Sequence, residues 1–161
     1  MNVADSFRVA AALEDLGFTP TNLPKQADGI VLNTCVVRDS AEQKAIGRIT
    51  TLKPLKTNNP DLVISLMGCM VGIHDPIELK RRYPYVDVFS QPSDPGPLIS
   101  YLNGKKFVSS QHRHFSDILD TKFAYTLPSS EENVQVSTFL PIVFGCSHAC
   151  AYCIIPLRRG K

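Results

Sequence analysis

A loop of three cysteines is the densest group of reactive side chains in this sequence. Cys146, Cys150 and Cys153 follow one another at C-x3-C-x2-C spacing. Cysteine thiolates hold iron–sulfur clusters, usually four to a cluster. Thiols this close in sequence can converge on one inorganic centre with little help from the rest of the fold. Three thiolates on a four-iron cluster leave one iron open to bind another molecule, so the spacing favours a reaction centre.

Zinc is the main alternative for this loop. A structural zinc site needs four ligands, commonly paired C-x2-C units or cysteines combined with histidines. The loop has three cysteines, no second pair nearby, and His148 inside it. A fourth ligand from elsewhere would allow zinc, whereas we expect His148 to be an ordinary loop residue. His112 and His114 could form a metal pair, but their polar surroundings favour solvated side chains.

Two further cysteines each follow a short apolar run typical of a buried parallel strand. Cys35 comes after Asn33-Thr34, and Cys69 comes after Met67-Gly68. Ligands bind outside the carboxyl ends of the strands in open parallel sheets, so the two thiols could face one point in space. The alternative is that each is a small buried apolar residue, as free cysteine often is.

Composition narrows the class of protein. The 161 residues are 43% hydrophobic and 20% charged, with a formal net charge of +2, which permits a nucleic-acid partner without requiring one. No apolar run approaches the roughly 20 residues of a membrane helix, and acidic residues interrupt the N-terminus where a signal peptide would be apolar. We therefore expect a cytoplasmic protein whose cysteines act as ligands or nucleophiles, without disulfides and without membrane association.

The elements that must position these cysteines alternate between strand and helix. The alternation predicts an α/β fold, a parallel three-layer sheet domain with helices on its faces, over residues 1–104. A polar connector is predicted over 105–136, and residues 137–161 read as the first strand, over 137–144, and the cysteine loop of a second domain. The helices are predicted over 4–16, 40–55, 77–82 and 98–102, and the strands over 28–34, 62–67 and 85–89. A capping-box pattern at 40–43 marks the start of the second helix.

Small basic groups occur at 80–82, 105–106 and 158–161. The first two are expected to be solvated surface. Arg158 and Arg159 immediately follow the cysteine loop, so a contact with a phosphate or a carboxylate is plausible there.

The cysteine loop, with Tyr152 directly before the last cysteine, resembles the signature of the radical S-adenosylmethionine enzymes. Other segments, in order along nearly the whole chain, resemble the methylthiotransferases of that class. Within that class the chain most resembles the MiaB-type, tRNA-modifying members, which the residues at 36–38 and 41–44 favour. These segments are Asn-Thr-Cys-Val-Val-Arg at 33–38, Ala-Glu-x-Lys at 41–44, Met-Gly-Cys-Met at 67–70, Tyr-Val-Asp at 85–87, Gly-Cys at 145–146, Pro156 and Arg-Gly at 159–160.

The resemblance implies two clusters in the full-length enzyme. Cys146, Cys150 and Cys153 would hold a 4Fe–4S cluster that binds S-adenosyl-L-methionine, with Tyr152 near the adenosine. Cys35 and Cys69 would hold an auxiliary 4Fe–4S cluster whose third ligand is absent from this chain. The first strand of the family's N-terminal domain and most of its radical barrel also have no counterpart here. We therefore expect this chain alone to be inactive.

The implied reaction inserts sulfur and a methyl group at carbon 2 of isopentenyladenosine next to the tRNA anticodon, through a 5′-deoxyadenosyl radical. The implied partners are the tRNA anticodon stem-loop, an electron donor protein and a sulfur donor. One alternative is methylthiolation of a ribosomal protein aspartate or of threonylcarbamoyladenosine in tRNA. Another is a non-catalytic binding module stabilised by an iron–sulfur cluster or by zinc.

Overall fold

The computed structural model of the protein describes residues 3–72, 76–105, 142–143 and 145–160. The strand predicted over 137–144 and nearly all of the predicted connector fall outside these ranges, apart from residues 105, 142 and 143. The described strands are β1 (Gly29–Thr34), β2 (Val63–Gly68) and β3 (Val88–Ser90). The described helices are α1 (Val3–Asp15), α2 (Asp39–Asn58), α3 (Ile77–Arg82), α4 (Gly96–Gly104) and α5 (Ile155–Arg159), with a short 3-10 turn at Pro24–Gln26.

The three strands form one parallel sheet in the order β1-β2-β3. The central strand β2 is buried along its whole length, whereas β1 is mostly half-buried. A strand covered on both faces needs apolar side chains pointing both ways, which explains the continuous apolar run in β2. The predicted parallel α/β sheet is therefore confirmed.

Two cores cover the two faces of β2. Val63 and Met67 point to one face, and Ile64 and Leu66 point to the other. Helices α1 and α4 pack on the first face, and helix α2 packs on the second. The result is the three-layer arrangement that the strand–helix alternation predicts. The buried helix residues in these cores are Val9, Leu98, Ile99 and Leu102 on the first face, and Ile49 and Leu52 on the second.

Helix α2 begins earlier and ends later than its sequence pattern predicts. Arg38 occupies the cap position with extended backbone and makes no side-chain capping bond, so the capping box predicted at 40–43 is wrong. Ser40 already lies in the first helical turn. The helix continues through Pro54 to Asn58, because packing of its apolar face outweighs the hydrogen bond that proline removes. Within the described ranges, none of the helices is both long and apolar enough to cross a membrane.

The third strand is shorter than predicted, because Tyr85 and Val86 precede it in a turn in which the Val86 N–H donates to the Tyr83 carbonyl at 3.0 Å. The Tyr85 hydroxyl donates to the Ile49 carbonyl at 3.2 Å. Burial, and secondly the neighbouring Tyr83, raises the pKa of Tyr85.

A carboxylate ties the layers together near the amino ends of β2 and β3. Asp87 Oδ2 accepts a hydrogen bond from the Ile64 N–H at 2.8 Å, and both its oxygens accept from Lys56 Nζ at 2.9 Å. The Tyr101 hydroxyl donates to Oδ1 at 3.2 Å. Lys56 also donates to the Leu62 carbonyl at 2.6 Å. One side chain thus joins α2, β2 and α4 to the segment that enters β3.

We expect the substitution Asp87→Ala to lower the free energy of unfolding by about 2–4 kcal/mol, because it leaves the partly buried Lys56 ammonium group without its carboxylate partner and the Ile64 N–H without its acceptor. Urea denaturation followed by circular dichroism measures this loss. The matched control is Asp61→Ala, which removes an exposed carboxylate and should change the unfolding free energy by less than about 0.5 kcal/mol. Equal midpoints for the two variants would contradict the assigned role of Asp87.

Candidate functional site

Cys35 and Cys69 leave the sheet side by side. Thr34 and Gly68, the last residues of β1 and β2, are partners in the strand register, and each cysteine is the next residue along its strand. The Cys69 N–H donates to the Thr34 carbonyl at 3.1 Å, which extends the pairing by one step. The structure therefore brings these two cysteines to the same edge of the sheet, as their positions after two strands predict.

The two thiols differ in burial. Cys69 is 5% exposed and belongs to the core on the α2 face, whereas Cys35 is half-buried. The packing of Cys69 suits a small apolar residue as well as a ligand. Both interpretations of the pair given by the sequence therefore stay open on burial alone.

The motif residues beside these cysteines hold the two strand ends in close contact. Gly68 has φ +102°, and a Cβ at this position would lie 2.5 Å from the Thr34 carbonyl oxygen and 2.8 Å from Asn33 Oδ1. The Thr34 hydroxyl donates to the Met67 carbonyl at 2.8 Å and accepts from the Met70 N–H at 3.2 Å. Only glycine fits this approach, and the threonine hydroxyl bridges both sides of the turn. The Asn-Thr-Cys and Met-Gly-Cys-Met segments thus have a structural purpose that is independent of any bound group.

The loop of Cys146, Cys150 and Cys153 is closed at its base. The Cys146 N–H donates to the Gly160 carbonyl at 3.1 Å, and the Cys153 N–H donates to the Cys150 carbonyl at 3.1 Å. Cys146 and Cys153 are half-buried and Cys150 is exposed, and all five cysteines of the chain are free thiols. Tyr152 is 93% exposed.

A short helix, α5, follows the loop and was not expected from the sequence. The sequence feature that favours this helix is Pro156, which lies in its first turn, where the N–H that proline lacks would have no partner within the helix. A five-residue helix carries too little periodicity to be recognised, so its existence depends on what it packs against.

Helix α5 lies against the edge of the sheet from which Cys35 and Cys69 emerge. The Arg158 side chain covers Gly72, in the loop after β2, where a Cβ would lie 3.4 Å from Arg158 Cδ. Arg159 Nη2 lies 3.5 Å from Asp5 Oδ2 and donates to Ser93 Oγ at 3.2 Å, in the loop after β3. The carboxylate contact expected for this basic pair is therefore made within the chain, by Arg159. Sequence reasoning took Asp5 for a cap of the first helix, whereas it lies inside the first turn of α1, and the contacts of Asp5 and Ser93 with Arg159 were missed because they join distant segments.

No three side chains of His, Cys, Asp or Glu within the described ranges lie close enough together to hold a metal ion. The donor chemistry of the cysteine loop nonetheless suits an iron–sulfur cluster. Its three thiols are free, and residues 145–150 have no helix or strand that would resist their being drawn together. The assignment of these thiols to a cluster remains a prediction.

Comparison with known proteins identifies the domain. Residues 1–90 match the family described as Uncharacterized protein family UPF0004. The chain belongs to this family. That membership accounts for the parallel sheet and for the motif segments around Cys35 and Cys69, all of which lie within the matched residues.

Beyond the UPF0004 region, the similarity continues to the end of the chain. A protein of Herpetosiphon aurantiacus named tRNA-2-methylthio-N(6)-dimethylallyladenosine synthase is 39% identical over 162 residues, which cover 100% of this chain and 34% of that protein. Proteins of the same name from Roseiflexus sp. (strain RS-1) and Dictyoglomus thermophilum are 35% and 36% identical, and the matches cover 31% and 36% of them. The chain thus spans about a third of the length of these curated relatives. The resemblance to the methylthiotransferases is confirmed.

The UPF0004 sheet edge should depend on glycine at position 68. We expect Gly68→Ala to lower the free energy of unfolding by at least about 2 kcal/mol, because the new methyl group meets backbone and the residue keeps a positive φ. The Cys69 thiol should also react faster with a disulfide reagent, since the turn that buries it is displaced.

The matched control is Gly47→Ala in helix α2, where nothing lies within 4 Å of the new Cβ. That change should raise stability by about 0.5–1 kcal/mol and leave the reactivity of Cys69 unaltered. Indistinguishable reactivity in the two variants would refute the close approach at Gly68.

Proposed function

We propose that this chain is part of a tRNA methylthiotransferase that inserts sulfur and a methyl group at carbon 2 of isopentenyladenosine, using S-adenosyl-L-methionine and iron–sulfur clusters. One observation carries the proposal. The loop of Cys146, Cys150 and Cys153 is fastened, through helix α5, to the sheet edge that bears Cys35 and Cys69. A sulfur-insertion reaction needs a radical centre and a sulfur-bearing centre close together, and this arrangement supplies ligands for both.

The similarity to curated relatives supports the choice of substrate. These relatives carry the name of a tRNA synthase for methylthiolated dimethylallyladenosine, and they match the chain along its whole length. None of the three points to a ribosomal protein or to threonylcarbamoyladenosine, so the isopentenyladenosine reaction is preferred to those alternatives.

The cysteine loop would hold a 4Fe–4S cluster through Cys146, Cys150 and Cys153. When bound, the cluster supplies the electron for reductive cleavage of S-adenosyl-L-methionine. The bond from the Cys146 N–H to the Gly160 carbonyl closes the loop and keeps its first and last segments together. Tyr152, exposed beside the last cysteine, is available to contact the adenosine of the cofactor.

Cys35 and Cys69 would hold the auxiliary cluster together with a third ligand from outside this chain. Their spacing is set by the strand register and by the approach of Gly68 to Thr34, so they need no rearrangement of the sheet to share one centre. Burial of Cys69 would shield this centre from water and oxygen.

The substrate would be an adenine in the anticodon loop of tRNA. Bases in single-stranded loops leave their stack at little cost, which allows a buried reaction centre to reach carbon 2. Residues beyond this chain would supply the walls of that site, together with an electron donor protein and a sulfur donor.

Anaerobic reconstitution with ferrous iron and sulfide tests cluster binding. We expect iron bound by the chain to fall to about half or less in each of the variants Cys146→Ser, Cys150→Ser and Cys153→Ser, because each removes one thiolate from a three-thiolate set. Iron content and visible absorbance measure the loss. His148→Ala is the matched control inside the same loop and should retain iron. Tightly bound zinc in place of iron would favour the binding module, and full iron retention in Cys146→Ser would exclude the loop as the ligand set.

Nucleoside analysis tests the reaction itself. In cells that lack the gene, we expect methylthiolated isopentenyladenosine to disappear from digested tRNA. Isopentenyladenosine, which lacks the methylthio group, should accumulate, and mass spectrometry measures both nucleosides. The level of methylthiolated isopentenyladenosine could instead stay unchanged while methylthiolated threonylcarbamoyladenosine or a modified ribosomal aspartate is lost. That result would assign the protein to one of the alternative reactions.

A further inference from the structure

A buried ion pair connects the two ends of the chain. Asp5, in the first turn of α1, is 2% exposed, and its Oδ2 lies 3.5 Å from Arg159 Nη2, whose side chain is 17% exposed. Its second oxygen, Oδ1, has no hydrogen-bond partner within the described residues. A buried carboxylate is costly unless it is paired, so the fold places it there together with its cation.

Ser93 links this pair to a second arginine. Its hydroxyl accepts from Arg159 Nη2 at 3.2 Å, and its carbonyl accepts from Arg8 Nη1 at 3.2 Å. Ser93 has φ +64°, a left-handed conformation that residues other than glycine seldom adopt. A serine in a strained conformation that accepts hydrogen bonds from two arginines on two helices indicates a site whose geometry is fixed by its surroundings.

We propose that Asp5, Arg159, Ser93 and Arg8 form a latch that positions the cysteine loop over the sheet edge bearing Cys35 and Cys69. Within the described part of this segment, residues 145–150 lack regular structure and α5 has only five residues. Arg159 directly follows Arg158, which covers Gly72 in the loop after Cys69. The latch therefore sets the separation between the two cysteine groups.

The consequence for the reaction rests on the proposed function. Transfer of sulfur from one centre to a substrate held at the other requires their separation to be fixed within about an ångström. The ion pair of Asp5 with Arg159 and the bond from Arg159 to Ser93 involve no cysteine. They are positioning residues, and their removal should alter where the loop sits without removing any ligand.

A double-mutant cycle with hydrogen exchange tests the latch. The variants are Asp5→Asn, which keeps the shape of the side chain, Arg159→Gln, and the double variant. In the chain without iron, we expect each single variant to speed exchange in residues 145–160 by roughly tenfold, while exchange in β2 stays unchanged. The double variant should be no faster than either single one, because both changes break the same contact. Arg48→Gln, which removes an exposed arginine of α2, is the matched control and should not change exchange.

The outcomes separate the latch from the proposed function. Unaltered exchange in residues 145–160, additive effects in the double variant, or faster exchange spread over β2 in Asp5→Asn would each overturn the latch. Iron content of the reconstituted chains is measured separately. Iron bound equally by the unaltered chain and by Arg159→Gln is the expected result for a positioning role. Absence of iron from the unaltered chain would overturn the proposed function while the exchange result stands.

Discussion

The contact between Gly68 and the Thr34 carbonyl governs the arrangement of this protein's reactive groups. Parallel pairing brings β1 and β2 to their carboxyl ends in register, and the glycine lets the second strand turn without a side chain in the way. The threonine hydroxyl then fastens the turn on both sides. Cys35 and Cys69 are adjacent because this contact exists, and Gly72, on which α5 rests, belongs to the same turn.

Polar contacts join the layers at both ends of the strands. Near the amino ends of the strands, Asp87 accepts hydrogen bonds from the Ile64 N–H, from Lys56 and from Tyr101, and so joins the layers. Near the carboxyl ends, Thr34 of β1 bonds to the turn after β2, and Ser93 and α5 make polar contacts with α1. Open α/β folds bind ligands beyond the carboxyl ends of their strands, which is where Cys35 and Cys69 lie.

The sequence is informative where periodicity is strong and local. The apolar run of β2 predicts a buried strand, and the two cysteines after strands predict their common edge. The capping box failed because α2 begins at Asp39, before the serine that the pattern favours, and Arg38 takes the cap position with no side-chain bond. Helix α5 and the Asp5–Arg159 pair could not be predicted, because they depend on contacts between distant segments that no local pattern records.

The pairing of Asp5 with Arg159 has a consequence for biosynthesis. Residue 5 leaves the ribosome first among these groups and residue 159 last, so the sheet can form while the cysteine loop is still being made. The thiols of the loop reach the sheet edge only after the whole of this segment has emerged. Contact between the two cysteine groups therefore becomes possible only after the strands that carry Cys35 and Cys69 have been synthesised and can already have paired.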